Sequence, residues 1–264
     1  MNVHTVSPNY KKRPIQASEF PSVQFAYSPS ADGVDEHLLI LFHGLGDTPS
    51  NFLRFGSNVN LPQTAILSIA GPCPIPGMSL QEGSGWFPVF TNEGDDILPS
   101  SQIAQTGLKK TTTLLDSFLE TCVFVRGRWK ETSRKVLFFG FSQGACEALD
   151  LALSLKNDIG GVVAMCGWLE QGMGSKTSKE LDVLVVQGTH DPLLTIGDAK
   201  EKEAYLRTLF PSSKNVDVLI VDGKDHCLPG NNYAEMQRIM AFFASHMALR
   251  NLKLEAMSDI YEVK

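Results

Sequence analysis

Apolar residues fall along this chain in short unbroken runs, separated by stretches whose apolar positions recur at helical spacing. Leu38-Leu39-Ile40-Leu41-Phe42, Ala65-Ile66-Leu67-Ser68-Ile69, Val136-Leu137-Phe138-Phe139, Gly161 to Cys166, Val183 to Val186 and Val216 to Val221 each read as a strand. A run that is apolar on both faces suits a parallel sheet covered on both sides. Val23 to Tyr27 alternates instead, as a half-buried edge strand does. Between these runs lie helices. Thr48 caps one with Pro49 at its first position, and Ser100 or Ser101 caps a long one running from Ile103 through Leu119. Ala148 to Leu155, Ala199 to Leu209 and Met236 to Met247 give three more. Strands alternating with helices predict an α/β fold, a mostly parallel central sheet with helices on both faces. Residues 21–250 form one domain. Residues 1–20 read as a polar N-terminal arm, broken by Pro8 and Pro14 and carrying Lys11-Lys12-Arg13, and 251–264 read as a C-terminal tail. The stretch 71–99 lacks periodicity but is rich in apolar residues, among them Trp86, Phe87 and Phe90. So long a connection in a compact domain points to function.

Composition narrows the partners. A net charge of −6 gives no electrostatic footprint for nucleic acid or an anionic membrane. The five cysteines, Cys73, Cys122, Cys146, Cys166 and Cys227, are scattered and odd in number, which suits reduced thiols in a cytoplasmic or nuclear setting rather than a disulfide or zinc framework. No apolar run reaches spanning length, and neither a signal peptide nor a lipidation box is expected.

The candidate chemistry begins at Gly140-Phe141-Ser142-Gln143-Gly144, a Gly-x-Ser-x-Gly motif between a buried strand and a helix. That context places Ser142 on a sharp turn with its hydroxyl projecting above the sheet edge. A serine hydroxyl needs a base, and the base needs an orienting carboxylate. In a parallel sheet both should stand beyond the carboxyl ends of strands. Asp191 and His226 do, in the chain order Ser, Asp, His. Asp191 is preferred to Asp198, Asp222 and Asp225, and His226 to His190 and the remaining histidines. The backbone N–H groups of Gln143 and Leu45 are the expected oxyanion donors, Leu45 lying in His43-Gly44-Leu45-Gly46 after another strand. His43 is read as holding that loop by a hydrogen bond. Cys146 and Cys227 are weighed as thiol nucleophiles and set aside as inert packing. No ligand spacing suggests a metal.

Phe42-His43-Gly44-Leu45-Gly46-Asp47-Thr48, Trp86-Phe87, the serine motif, Trp168-Leu169, Gly188-Thr189-His190-Asp191-Pro192-Leu193 and His226 together resemble the phospholipase/carboxylesterase family of α/β hydrolases, which includes the acyl-protein thioesterases. The resemblance implies an α/β-hydrolase fold and a serine hydrolase with Ser142, Asp191 and His226 as its triad, acting on esters or thioesters without a cofactor. It places Trp86 in the family's substrate loop and Trp168 beside the acyl site. The implied substrates range from small esters and lysophospholipids to S-acylated proteins. A hydrolase-fold binding protein without turnover is the alternative from another class. Only a short stretch separates Cys166 from Asp182, so no large cap domain is expected. The open site that results would let Trp86, Phe87 and Phe90 hold an acyl chain.

Overall fold

The computed structural model describes residues 12–230 and 232–252. Among the described residues seven strands form one sheet in the order β1-β3-β2-β4-β5-β6-β7. They are β1 (Phe25–Ser28), β2 (His37–Phe42), β3 (Thr64–Ile69), β4 (Val136–Phe141), β5 (Gly161–Met165), β6 (Val183–Gly188) and β7 (Val216–Val221). Only the edge strand β1 is antiparallel; the other pairings are parallel. Every residue of β2, β3, β5 and β6 is buried, as their continuous apolar runs require.

Side chains alternate across the sheet and build two cores. Leu38, Ile40, Phe42, Phe138 and Val162 face one side with residues of α2 (Gln102–Cys122), α3 (Gln143–Ser154) and α4 (Ile196–Arg207). Leu39, Leu41, Leu137, Phe139 and Val163 face the other with α1 (Pro49–Val59) and α5 (Tyr233–His246). This is the α/β-hydrolase fold, and no large cap interrupts it between β5 and β6. Thr48 caps α1 by accepting from the Asn51 amide, and Ser101 caps α2 by accepting from Ala104. Among the described residues no helix is long and apolar enough to cross a membrane.

The N-terminal arm is only partly described, since residues 1–11, with Lys11, lie outside the described residues, as does most of the tail, 253–264. Residues 13–19 are tied down by Arg128, whose side chain is fully buried. Its guanidinium donates to the carbonyls of Arg13 (2.9 Å) and Pro14 (2.7 Å) and to Glu19 (2.5 Å), while Ile15 enters the core. Burying Arg128 requires that each of these donors find an acceptor, and this segment supplies most of them.

At the other end of the chain, His37 opens β2 with 1% of its surface exposed and accepts a hydrogen bond from the Ala248 amide at 2.9 Å. Burial pushes its pKa down to about 4, so it is neutral when folded. The unfolded chain takes up this proton near pH 6.5 and the folded chain only near 4, so the stability His37 contributes is present above 6.5 and lost as pH falls toward 4. Urea midpoints at pH 7 and pH 5 should therefore fall further apart in the wild type than in His37→Gln. Equal falls would show that His37 is not the source.

Candidate active site

The parallel ladder continues past the strand ends and lines up the site. The Ser142 amide donates to Met165 O (2.8 Å), the Cys166 amide to Val186 O (2.8 Å), the Thr189 amide to Val221 O (3.0 Å) and the His190 amide to Lys224 O (3.0 Å). β4, β5, β6 and β7 are neighbours in that order, so the residues leaving them stand abreast. Ser142 follows β4, Cys166 follows β5, Asp191 follows β6 and His226 follows β7.

Ser142 carries φ 54°, a left-handed backbone that costs a non-glycine residue energy, and opens directly into α3. Gly144 makes that turn possible: a Cβ there would lie 2.3 Å from both Phe42 O and His43 O. His226 is held at both nitrogens. Its Nδ1 lies 2.8 Å from Asp191 Oδ2, and its Nε2 lies 2.8 Å from Ser142 Oγ. The side chain of Asp191 is fully buried. Burial works to raise its carboxyl, but bonds from His226, the Leu193 amide (2.9 Å) and Gln187 (3.0 Å) hold it below the ordinary carboxylate range. Asp222 is engaged elsewhere, accepting from Thr189.

Cys166 corrects the sequence reading. Its Sγ, an Asp191 carboxylate oxygen and a His226 nitrogen lie within 4.8 Å of one another. Like Ser142 it is the first residue beyond its strand and has a positive φ, 50°. A serine esterase whose triad excludes any thiol therefore no longer describes the centre, because Cys166, His226 and Asp191 form a thiol-based set of the same composition. Burial pushes the Cys166 thiol up to about 12, so it needs a base to become nucleophilic. Its Sγ faces Cys227 O at 3.8 Å, whereas Ser142 Oγ holds the hydrogen bond to Nε2. The thiols weighed from sequence are less well placed. Cys146 is pushed up to about 12 and donates to Trp168 O, and Cys227 is exposed. Strand order was the available signal for Cys166, since it leaves the strand between those that deliver Ser142 and Asp191. The three clustered donors do not suit a metal ion, because Asp191 and Ser142 already engage both nitrogens of His226.

A pocket of about 230 Å³ opens at the cluster, lined among others by Leu45, Phe87, Gln143, Trp168 and Leu194 with Ser142, Cys166 and His226. Leu45 and Gln143 thus flank Ser142 and Cys166, and Gln143, as the first residue of α3, has a backbone N–H with no intrahelical acceptor. His43 is neutral through burial; its Nδ1 lies 2.7 Å from Gly44 O and its Nε2 accepts from the Gly71 amide, holding the loop as expected. Phe87 and Trp168 reach the pocket. Trp86 does not line it; fully buried, it donates from Nε1 to His43 O (2.7 Å) and from its amide to Gln143 Oε1 (2.7 Å). Its part is to pin the long loop against the elbow.

A family model described as Phospholipase/Carboxylesterase matches residues 29–247. The chain belongs to the phospholipase/carboxylesterase family. An uncharacterized hydrolase of Mycosarcoma maydis is 34% identical over 151 residues, 54% of this chain and 53% of that protein. An acyl-protein thioesterase 1 of Kluyveromyces lactis is 22% identical across 81% of this chain and 93% of its own length. The match spans about half the length of the Mycosarcoma relative and of a second uncharacterized hydrolase, from Schizosaccharomyces pombe. In fold the chain is similar to a Bacillus cereus carboxylesterase, with TM-score 0.66 and 18% identity over 88% of this chain and 98% of that one. A Zea mays acyl-protein thioesterase 2 gives 0.64 and 16% over 85% and 99%.

Asp191 is the carboxylate that meets the His226 imidazole at Nδ1, whereas Asp222 is turned to Thr189. Asp191→Asn should cut ester turnover on the order of 10⁴-fold by favouring the wrong imidazole tautomer, while Asp222→Asn and Asp225→Asn leave it nearly intact. Steady-state assays of the three variants decide it, and damage concentrated at Asp222 or Asp225 would show that the wrong carboxylate was chosen.

Proposed function

We propose that this protein hydrolyses carboxylic ester or thioester bonds by acyl transfer, with His226 as general base and acid and Asp191 as its partner. The observation that carries the reading is the buried Asp191 carboxylate bonded to an imidazole that faces two nucleophiles from neighbouring strands. In this reaction the nucleophile's proton passes to His226 as the substrate carbonyl is attacked. Charge on the carbonyl oxygen is received by the Gln143 and Leu45 amides. His226 then protonates the departing alcohol or thiol, and water, activated by the same imidazole, releases the acid. Every step uses side chains or backbone of this chain, and no cofactor enters.

Ser142 and Cys166 are the two side chains placed to carry the acyl group. Phe87, Trp168 and Leu194 supply apolar surface for an acyl chain, and the absence of a large cap leaves room for a bulky leaving group such as a protein-borne cysteine. S-acylated proteins are therefore proposed as substrates alongside simple esters. The relatives named acyl-protein thioesterase agree with this choice.

Trapping the acyl-enzyme with a slow ester and mapping it by peptide mass spectrometry tests the proposal. The adduct should sit on the peptide carrying Ser142 or on that carrying Cys166, and Ser142→Ala or Cys166→Ala should remove it. An adduct on neither, with no hydrolysis of esters or thioesters, would instead favour a ligand-binding protein.

A further inference from the structure

Gln187 is a buried polar side chain behind the pocket, placed so far only as one of the donors to Asp191. It lies on β6 and is fully buried. Its Oε1 accepts from the indole Nε1 of Trp168 at 2.9 Å. Its Nε2 donates to Asp191 Oδ2 at 3.0 Å and to Gly188 O at 3.3 Å. Asp191 Oδ2 is the same oxygen that lies 2.8 Å from His226 Nδ1.

The chemistry of the two ends fixes the amide. An indole N–H can only donate and a carboxylate can only accept, so the carbonyl of Gln187 must face Trp168 and its NH₂ must face Asp191. Were the amide reversed, two donors would meet at Trp168 and two acceptors at Asp191, both shielded from water. Trp168 is itself a wall of the substrate pocket. One amide therefore spans the distance from the pocket wall to the acid.

We propose that Gln187 is a positioning residue that couples the seating of Trp168 in the substrate pocket to the orientation of the Asp191–His226 pair. The coupling rests on the hydrolase reading above. An acyl chain that presses on Trp168 sets the indole, the indole sets the amide, and the amide sets which carboxylate oxygen His226 meets. The other titratable and charged groups nearby are the Cys166 thiol after β5, the Lys224 ammonium, which lies toward Cys166 and pairs with buried Glu235 of α5 at 3.0 Å, and the Lys202–Glu170 ion pair in the pocket lining. None of these contacts Trp168 through Gln187, so changing the amide leaves them in place.

The test compares the full-length wild type with Gln187→Met and Trp168→Phe, using butyryl and octanoyl nitrophenyl esters across pH. Removing a donor from the Asp191 carboxylate strengthens its hold on the imidazolium. The acid limb of kcat/KM, which reports the free enzyme's base, should therefore move to higher pH in Gln187→Met, by about half a unit. The octanoyl-to-butyryl ratio should change by about threefold as the pocket wall loosens. Trp168→Phe keeps an aromatic wall but frees the amide, and should move the acid limb the same way although the Trp168 indole N–H bonds to Gln187 and to neither Asp191 nor His226. If Gln187→Met fails to fold, Trp168→Phe still reads the coupling. An acid limb unmoved in Trp168→Phe overturns the proposal, whatever Gln187→Met does. A wild type that hydrolyses neither ester, nor a thioester, overturns the underlying hydrolase reading instead.

Discussion

The site depends on how closely the start of α3 can approach the end of β2. At Gly144 there is no room for a side chain, because backbone oxygens of Phe42 and His43 occupy the space a Cβ would need. That contact sets the elbow, and the elbow forces Ser142 into its left-handed conformation. It also brings the Gly44–Gly46 turn, with Leu45, up to the first turn of α3. The side chain of Gln143 then clamps the long loop through Trp86 and Phe87, with its amide carbonyl accepting from one and its NH₂ donating to the other at 2.9 Å. Loop, elbow and oxyanion candidates are thus parts of one packing arrangement.

A second constraint runs across the sheet. Parallel strands deliver their carboxyl ends to one edge, and each of the four neighbouring strands β4 to β7 delivers one reactive side chain. Strand-to-strand bonds from the Ser142, Cys166 and Thr189 amides keep those ends in register. The meeting of these groups at one edge therefore follows from topology, and a single imidazole beyond the last strand stands beside both Ser142 and Cys166.

Much of this could be read from the chain. Unbroken apolar runs marked the parallel strands, and the spacing of Ser142, Asp191 and His226 marked three of the strand ends that converge. Cys166 escaped because it closes an apolar run and looks like one more core residue; only the order of strands in the sheet shows that it faces the site. Trp86 was expected in the substrate pocket because an aromatic in a long loop suggests binding, yet its indole N–H finds a buried carbonyl, and that partner turns it inward. The segment around Arg13 reads from sequence as part of a polar arm because it is basic and contains proline. Arg128, more than a hundred residues on, claims its carbonyls, and no local pattern announces so distant a partner. Gln187 likewise sits in an apolar strand without any periodic signal, its partners again set by tertiary contact.

If one Asp191-held imidazole drives acyl transfer at this edge, as proposed, the reaction cannot survive its removal. The most direct measurement is thioester and ester turnover by His226→Ala, with its fold verified by circular dichroism. kcat/KM should fall by at least about 10³-fold. Retention of turnover within about tenfold of the wild type would contradict it, whichever nucleophile carries the acyl group.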